Sequence, residues 1–277
     1  RSPGRTEFVS LEDGFHGRTM GALALTGQPG KQEAFRPLMP GARYVPRNDG
    51  DALRAAVSER TCAIAIEVVQ GECGVYPLDD DFVRLARELA DESGALLIVD
   101  EIQTGMSRTG KLFAHQWSGI VPDVMALAKG LGSGVPIGAV VAHGAAAEVF
   151  QPGNHGTTFG GNPLAMRAGI ATIEAMEAEH LLDNAAQVGG FLITRLREHF
   201  AGNPGVVEVR GQGLMIGIEL DRGCGDLVGQ ALAAGLVLNV TADRVVRLLP
   251  PLVLSREQAQ LLLDRLIPLI EARLARP

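Results

Sequence analysis

Short, almost wholly apolar runs separated by helix-period segments constrain this chain more than any other feature. The runs fall at 7–10, 42–46, 62–69 (C-A-I-A-I-E-V-V), 95–99 (A-L-L-I-V), 124–128 (V-M-A-L-A) and 137–142 (I-G-A-V-V-A). They are too short for buried helices and too continuously apolar for strands with one wet face, so they predict strands covered on both sides. Between several of them lie helical patterns. Residues 79–92 read D-D-D-F-V-R-L-A-R-E-L-A-D-E, which puts Phe82, Leu85, Ala86 and Leu89 on one face and acids in the first turn. The alternation predicts an α/β chain with a mostly parallel sheet. In such sheets ligands sit at the carboxyl ends of the strands, so that is where chemistry is expected.

The pattern changes at Asn162-Pro163. Residues 164–180 and 181–200 read as long helices, 206–210 and 213–220 as alternating strands, 235–240 and 245–249 as a second strand pair, and 256–275 as an amphipathic helix. This predicts a large domain over 1–165, followed over 166–277 by an interdomain helix and a smaller α+β domain. The chain opens on Arg1-Ser2-Pro3 without an initiating methionine, and the large domain is expected to lack its N-terminal part.

Bulk properties exclude several classes. A net charge of −7 argues against a nucleic-acid or anionic-membrane surface. No apolar run approaches the roughly 20 residues of a membrane span. Three cysteines without a C-x-x-C pair favour a reduced, cytoplasmic protein, and the six histidines show no metal-ligand spacing. Only three of the 25 basic residues are lysines, Lys31, Lys111 and Lys129. Chemistry that needs an amine therefore has few candidates.

Two residues stand at predicted strand tips. Asp100 ends A-L-L-I-V-D, and taken alone it reads as a helix cap or loop-fixing carboxylate. Lys129 ends A-L-A-K and opens a glycine-rich loop; a lone lysine is ordinarily a solvated surface group. Together they suggest one chemistry. A partly desolvated lysine becomes a nucleophile toward aldehydes, and a carboxylate held opposite can keep a pyridine nitrogen protonated. Pyridoxal phosphate needs that pair.

Six strings then occur in order: G-F-H-G-R-T-M-G-A-L-A-L-T-G-Q (14–28), E-V-V-Q-G-E-C-G-V (67–75), D-E-I-Q-T-G-M-S-R-T-G-K-L-F-A (100–114), P-D-V-M-A-L-A-K-G-L-G-S-G-V-P-I-G-A (122–139), H-G-T-T-F-G-G-N-P-L-A (155–165) and V-V-R-L-L-P-P-L (245–252). In them the chain resembles the class III aminotransferases over essentially its whole length, and most of all their acetylornithine branch. The resemblance implies the fold-type I architecture of pyridoxal-phosphate enzymes and a homodimer with shared active sites. It implies that Lys129 carries the cofactor as a Schiff base and that Asp100 partners the pyridinium nitrogen. Gln103 would bond the cofactor's 3′-oxygen, Phe15 would stack on its ring, and Thr158 would reach the phosphate of the neighbouring subunit. For substrate it implies Arg18 for a carboxylate of N2-acetylornithine and Arg247 for the α-carboxylate of 2-oxoglutarate or glutamate. Glu72 would pair with Arg247 when the other substrate is bound. Two half-reactions in ping-pong order, serving arginine biosynthesis, would follow.

Outside the resemblance, Phe15 reads as a core phenylalanine, Thr158 as a turn residue beside Gly160-Gly161, and each arginine as a surface charge. His16 reads as structural, and Cys73 as a small buried filler. Ornithine, succinylornithine or another ω-amine remain rival donors, and a non-catalytic homologue is the rival of a different class. A nicotinamide enzyme is disfavoured, because Gly211 and Gly213 lack the third glycine of a dinucleotide fingerprint. The loop that cradles the cofactor phosphate in this family is expected upstream of Arg1.

Overall fold

The computed structural model describes residues 4–276. The first six strands are β1 (Glu7–Leu11), β2 (Ala42–Val45), β3 (Thr61–Ile66), β4 (Val69–Gln70), β5 (Tyr76–Pro77) and β6 (Leu96–Asp100). They are followed by β7 (Val124–Leu127), β8 (Ala139–Ala142), β9 (Val206–Gln212), β10 (Met215–Leu220), β11 (Asn239–Thr241) and β12 (Val245–Leu248). The chain divides into two compact units. One holds the stretch up to Val68, Leu78–Met106 and Phe113–Ala178; the other holds Val69–Pro77, Ser107–Leu112 and the chain from Glu179 onward.

The first unit is built on a six-stranded sheet of order β2-β1-β3-β6-β7-β8, parallel except for β8, which runs antiparallel to β7. Its inner strands are apolar at nearly every position because both faces are covered; Ile64, Ile66, Leu97 and Val99 are fully buried. Each such side chain contributes about 1.5–3 kcal/mol. The helix Asp80–Ser93 turns Phe82, Val83, Ala86 and Leu89 into the same core. It starts with Asp80 and Asp81 in its first turn and stops at Gly94, whose φ of 68° closes the last turn.

The second unit packs the helices Leu181–His199 and Arg256–Leu274 on a four-stranded antiparallel sheet of order β11-β12-β10-β9. Ser255 and Gln258 start the second helix with reciprocal side-chain bonds to each other's backbone N–H. Strand β10 is buried along its whole length. Ile216, Ile218 and Leu220 join the helical core on one face. On the other, Met215 packs against Val69 and Val75 of the β4–β5 hairpin.

The apolar run expected over 62–69 is therefore two elements. Strand β3 ends at Ile66, and Val69–Gln70 pairs instead with Tyr76–Pro77. The strand expected over 235–240 shrinks to Asn239–Thr241, because Gly235 at φ 76° carries the chain out of the preceding helix Leu227–Ala233. No described helix is long and apolar enough to cross a membrane, and none of the cysteines is in a disulfide among the described residues.

Candidate active site

Four neighbouring strands of the first unit end at one edge, and their tips carry the polar groups. Asp100 closes β6 and is 8% exposed. It stands in register with Ala126 of β7, three residues before Lys129, so the parallel pairing brings both residues to one sheet edge. The Asp100 carboxylate accepts a hydrogen bond from the Ile102 backbone at 3.0 Å and lies 3.0 Å from His16 Nδ1. His16 belongs to the loop after β1. The same loop is tied down beyond β3, where Glu67 accepts from the Phe15 N–H at 2.8 Å.

His16 is the functional candidate that sequence reasoning set aside as structural. Its side chain is 7% exposed, and its Nε2 is buried with no hydrogen-bond partner among the described residues. Burial opposes a charge on the ring, but the hydrogen bond that His16 donates to Asp100 and the charges of Glu67 and Asp100 outweigh it. The His16 pKa is raised from its ordinary 6.5. A folded-state pKa above the unfolded one stabilises the chain fully below pH 6.5, and that contribution is lost as pH rises through the folded value. The melting temperature is accordingly expected to fall as pH rises above 6.5, and His16→Gln should flatten that slope. An equal slope in the variant, measured by thermal denaturation across the pH range, would remove this ion pair from the account.

The turn after Asp100 is fixed from below. Glu101, 1% exposed, accepts from the backbone and ring nitrogens of His115 at 2.9 and 3.0 Å and from the Thr104 hydroxyl. Gln103 lies within that turn, and its Oε1 is buried without a hydrogen-bond partner among the described residues. An amide flip about the last side-chain torsion presents either its oxygen or its NH₂ to a ligand.

Lys129 opens the turn Lys129–Gly132 after β7 with φ 43°, in the left-handed region that costs a non-glycine residue about 1–3 kcal/mol. It is exposed, which corrects the desolvated setting expected from its apolar neighbours. Backbone strain also gathers at Met106 and Ser107, with φ 55° and 65°. The loop after Lys129 approaches Met106 closely: a Cβ on Gly130 would stand 3.3 Å from the Met106 Cβ.

Phe15 is half-buried, with the Lys31 ammonium 4.6 Å and the Arg18 guanidinium 5.8 Å from its ring centroid. Arg18 is exposed. Thr158 lies on an exposed loop in which Thr157 makes the turn, accepting from the Gly160 N–H at 3.1 Å. The remaining two candidates belong to the second unit. There Arg247 of β12 meets Glu72 at 3.2 Å and donates to the Gly71 carbonyl at 2.8 Å. Cys73, beside Glu72, is half-buried rather than buried.

Residues 1–270 match the family profile described as aminotransferase class-III. The chain is 54% identical over 269 residues to acetylornithine aminotransferase 1 of Bordetella bronchiseptica, covering 96% of this chain and 68% of that protein. It is 47% identical over 264 residues to acetylornithine aminotransferase of Aquifex aeolicus, covering 95% and 67%. Among solved structures, ornithine aminotransferase from Toxoplasma gondii, described with partial occupancy of PLP at its active site, superposes with a TM-score of 0.94. The two are 33% identical, over 100% of this chain and 67% of that one. An aminotransferase of Bacillus anthracis superposes with a TM-score of 0.90 at 28% identity, over 98% and 70%. The chain spans about two thirds of the length of these relatives. It has the fold-type I architecture and belongs to the class III aminotransferases, a family that uses pyridoxal phosphate, in its acetylornithine-like branch.

Proposed function

We propose that the chain moves the amino group of N2-acetylornithine to 2-oxoglutarate, in arginine biosynthesis, with pyridoxal phosphate at the carboxyl ends of β1, β3, β6 and β7. The observation that carries this is the buried Asp100 carboxylate at the tip of β6, in register with the strand that leads to Lys129. The fit to the cofactor rests on the groups left over there. Among the described residues, His16 Nε2 and Gln103 Oε1 are buried and unpartnered beside the Asp100 carboxylate and its turn. When bound, the cofactor supplies an electron sink for charge developing at the amine-bearing carbon.

The chain's own residues do the rest. Asp100 would hold a proton on the ring nitrogen, and His16 orients the carboxylate and shares its charge. Gln103 would bond the ring oxygen, and Phe15 would pack on the ring. The Lys129 amine would hold the cofactor by its aldehyde and serve as the base that moves a proton at the substrate's amine-bearing carbon. Arg18 takes a carboxylate of the acetylated substrate. Arg247 takes the α-carboxylate of 2-oxoglutarate or glutamate, a task its guanidinium fork suits; Glu72 neutralises it otherwise. Thr158 reaches the phosphate held by a second copy of the chain. Support for that homodimer comes from the apolar side chains around Thr158, with Phe150 70%, Phe159 81% and Leu164 73% exposed.

The test is the absorption of the protein mixed with pyridoxal phosphate. A cofactor absorption band that is absent from Lys129→Ala should bleach with N2-acetylornithine and return with 2-oxoglutarate. The same sample should sediment as a dimer. The likeness to the Toxoplasma gondii ornithine aminotransferase favours one second reading, ornithine as donor. Bleaching by ornithine and not by acetylornithine would establish it in place of the first.

A further inference from the structure

The β4–β5 hairpin of the second unit, which carries Glu72, cannot hold its own shape. Its strands are two residues each, below what an isolated hairpin needs for stability. Its tip is also strained: after Gly74, which tolerates its φ of 124°, the β-branched Val75 is held at φ 56°. Such a conformation persists only where the surroundings over-determine it.

They do so through its carbonyls. Arg247 of β12 donates to the Gly71 carbonyl, and Thr241 of β11 to that of Glu72. Arg210 of β9 donates to the Gly74 carbonyl through Nη2 at 2.7 Å and through Nε at 3.0 Å, and Nε also reaches the Val75 carbonyl at 3.0 Å. Arg210 is 3% exposed and lies 3.7 Å over the centroid of Tyr76. Its Nη1 meets Glu219 at 2.6 Å and Glu208 at 3.0 Å. The Tyr76 hydroxyl donates to the same Glu219 carboxylate at 2.9 Å, and Arg244 meets its other oxygen at 2.6 Å. Beneath the tip, a Cβ on Gly217 would stand 3.0 Å from the Gly74 carbonyl, so a side chain there would push the hairpin off β10 by a few tenths of an ångström.

We infer that Arg210, locked by Glu219 and Tyr76, is a positioning residue for substrate selection, holding the hairpin tip so that Glu72 pairs with Arg247. The inference rests on the roles given above to Glu72 and Arg247. Arg247 already spends its Nη1 on Glu72 and on the Gly71 carbonyl, so Glu72 offsets the positive charge that a second carboxylate would meet. A firmly held Glu72 competes with an incoming dicarboxylate, and a loosened hairpin lets Glu72 go. Arg210 thus weakens dicarboxylate capture without touching the substrate.

The probe is glutarate, a five-carbon dicarboxylate with no amino or keto group to react, titrated calorimetrically into the cofactor-saturated full chain. Tyr76→Phe keeps the ring over Arg210 and removes only the hydroxyl that steadies Glu219. It should tighten glutarate binding by about threefold to tenfold, as should Glu72→Gln, and the double variant should gain no more than Glu72→Gln alone. In single-turnover reactions, KM for 2-oxoglutarate should fall in Tyr76→Phe while the maximal rate holds, a split that general loosening of the fold would not produce. Tightening by Glu72→Gln with no change in a folded Tyr76→Phe overturns the inference and leaves the proposed function standing, as do effects that simply add. If Glu72→Gln changes nothing and Arg247→Gln fails to weaken glutarate, the reading of this site falls and the inference with it.

Discussion

Lys129→Ala should keep its fold and lose amino transfer by roughly 10⁴-fold or more, because in the proposed reading one substitution removes both the covalent anchor and the base that moves the proton. The fold should survive for a reason visible in the structure. Lys129 is exposed, and exposed substitutions away from packed features usually fall within about 0.5 kcal/mol. The left-handed φ of 43° remains with alanine; Lys129→Gly should melt higher than Lys129→Ala, since glycine tolerates that backbone. The scarcity of lysine makes the anchor easy to identify. Borohydride treatment of the wild type with pyridoxal phosphate should tag the peptide containing Lys129, leaving Lys31 and Lys111 as the only other lysines to check. A tag on either of those with Lys129 unmodified, or full turnover in Lys129→Ala, would refute the assignment.

Asp100→Asn is the second large expected effect. Asparagine preserves size and can still accept from His16, but it carries no charge to hold a proton on a ring nitrogen. Losing a preorganised electrostatic partner of this kind costs roughly 10²–10³ in turnover, and cofactor affinity should weaken with it. The variant should also act on His16. The Asp100 hydrogen bond and charge are among the causes that raise its pKa, against the opposing effect of burial, so His16 in Asp100→Asn should titrate lower than in the wild type. Imidazole proton resonances followed against pH read this directly without any cofactor. A normal turnover with a lowered His16 pKa would reduce Asp100 to a structural acid. Unchanged titration would mean that the 3.0 Å contact does not set the charge of the pair.

Much of the fold was legible in local pattern. The runs at 95–99 and 124–128 became β6 and β7, and the helical patterns over 79–92 and 256–275 became Asp80–Ser93 and Arg256–Leu274. These elements are long enough for burial to impose a period. The β4–β5 hairpin escaped notice because two-residue strands have no period to read. Strand β9, whose Arg210 bonds the hairpin tip, lies more than 130 residues away in sequence. Arg210 is likewise one of 22 arginines; its place beside inward-facing Val209 marks it as facing the other side of β9, but only the hairpin makes that side buried. Lys129 was misjudged in the opposite direction. Apolar residues before it announce a strand, and say nothing about whether side chains will later cover its end.

Periodicity and the order of six motifs were enough to define an α/β sheet and the class III aminotransferase family, and to put Asp100 and Lys129 at strand ends, because each depends on residues close in sequence or on independent local strings. The tertiary structure decided what arises only when distant segments meet: His16 against Asp100 across 84 positions, Glu72 against Arg247 across 175, and the buried Arg210 against the hairpin tip across 136. A hydrogen bond depends on distances of tenths of an ångström. No local pattern encodes such a distance between residues that only the closed chain brings together.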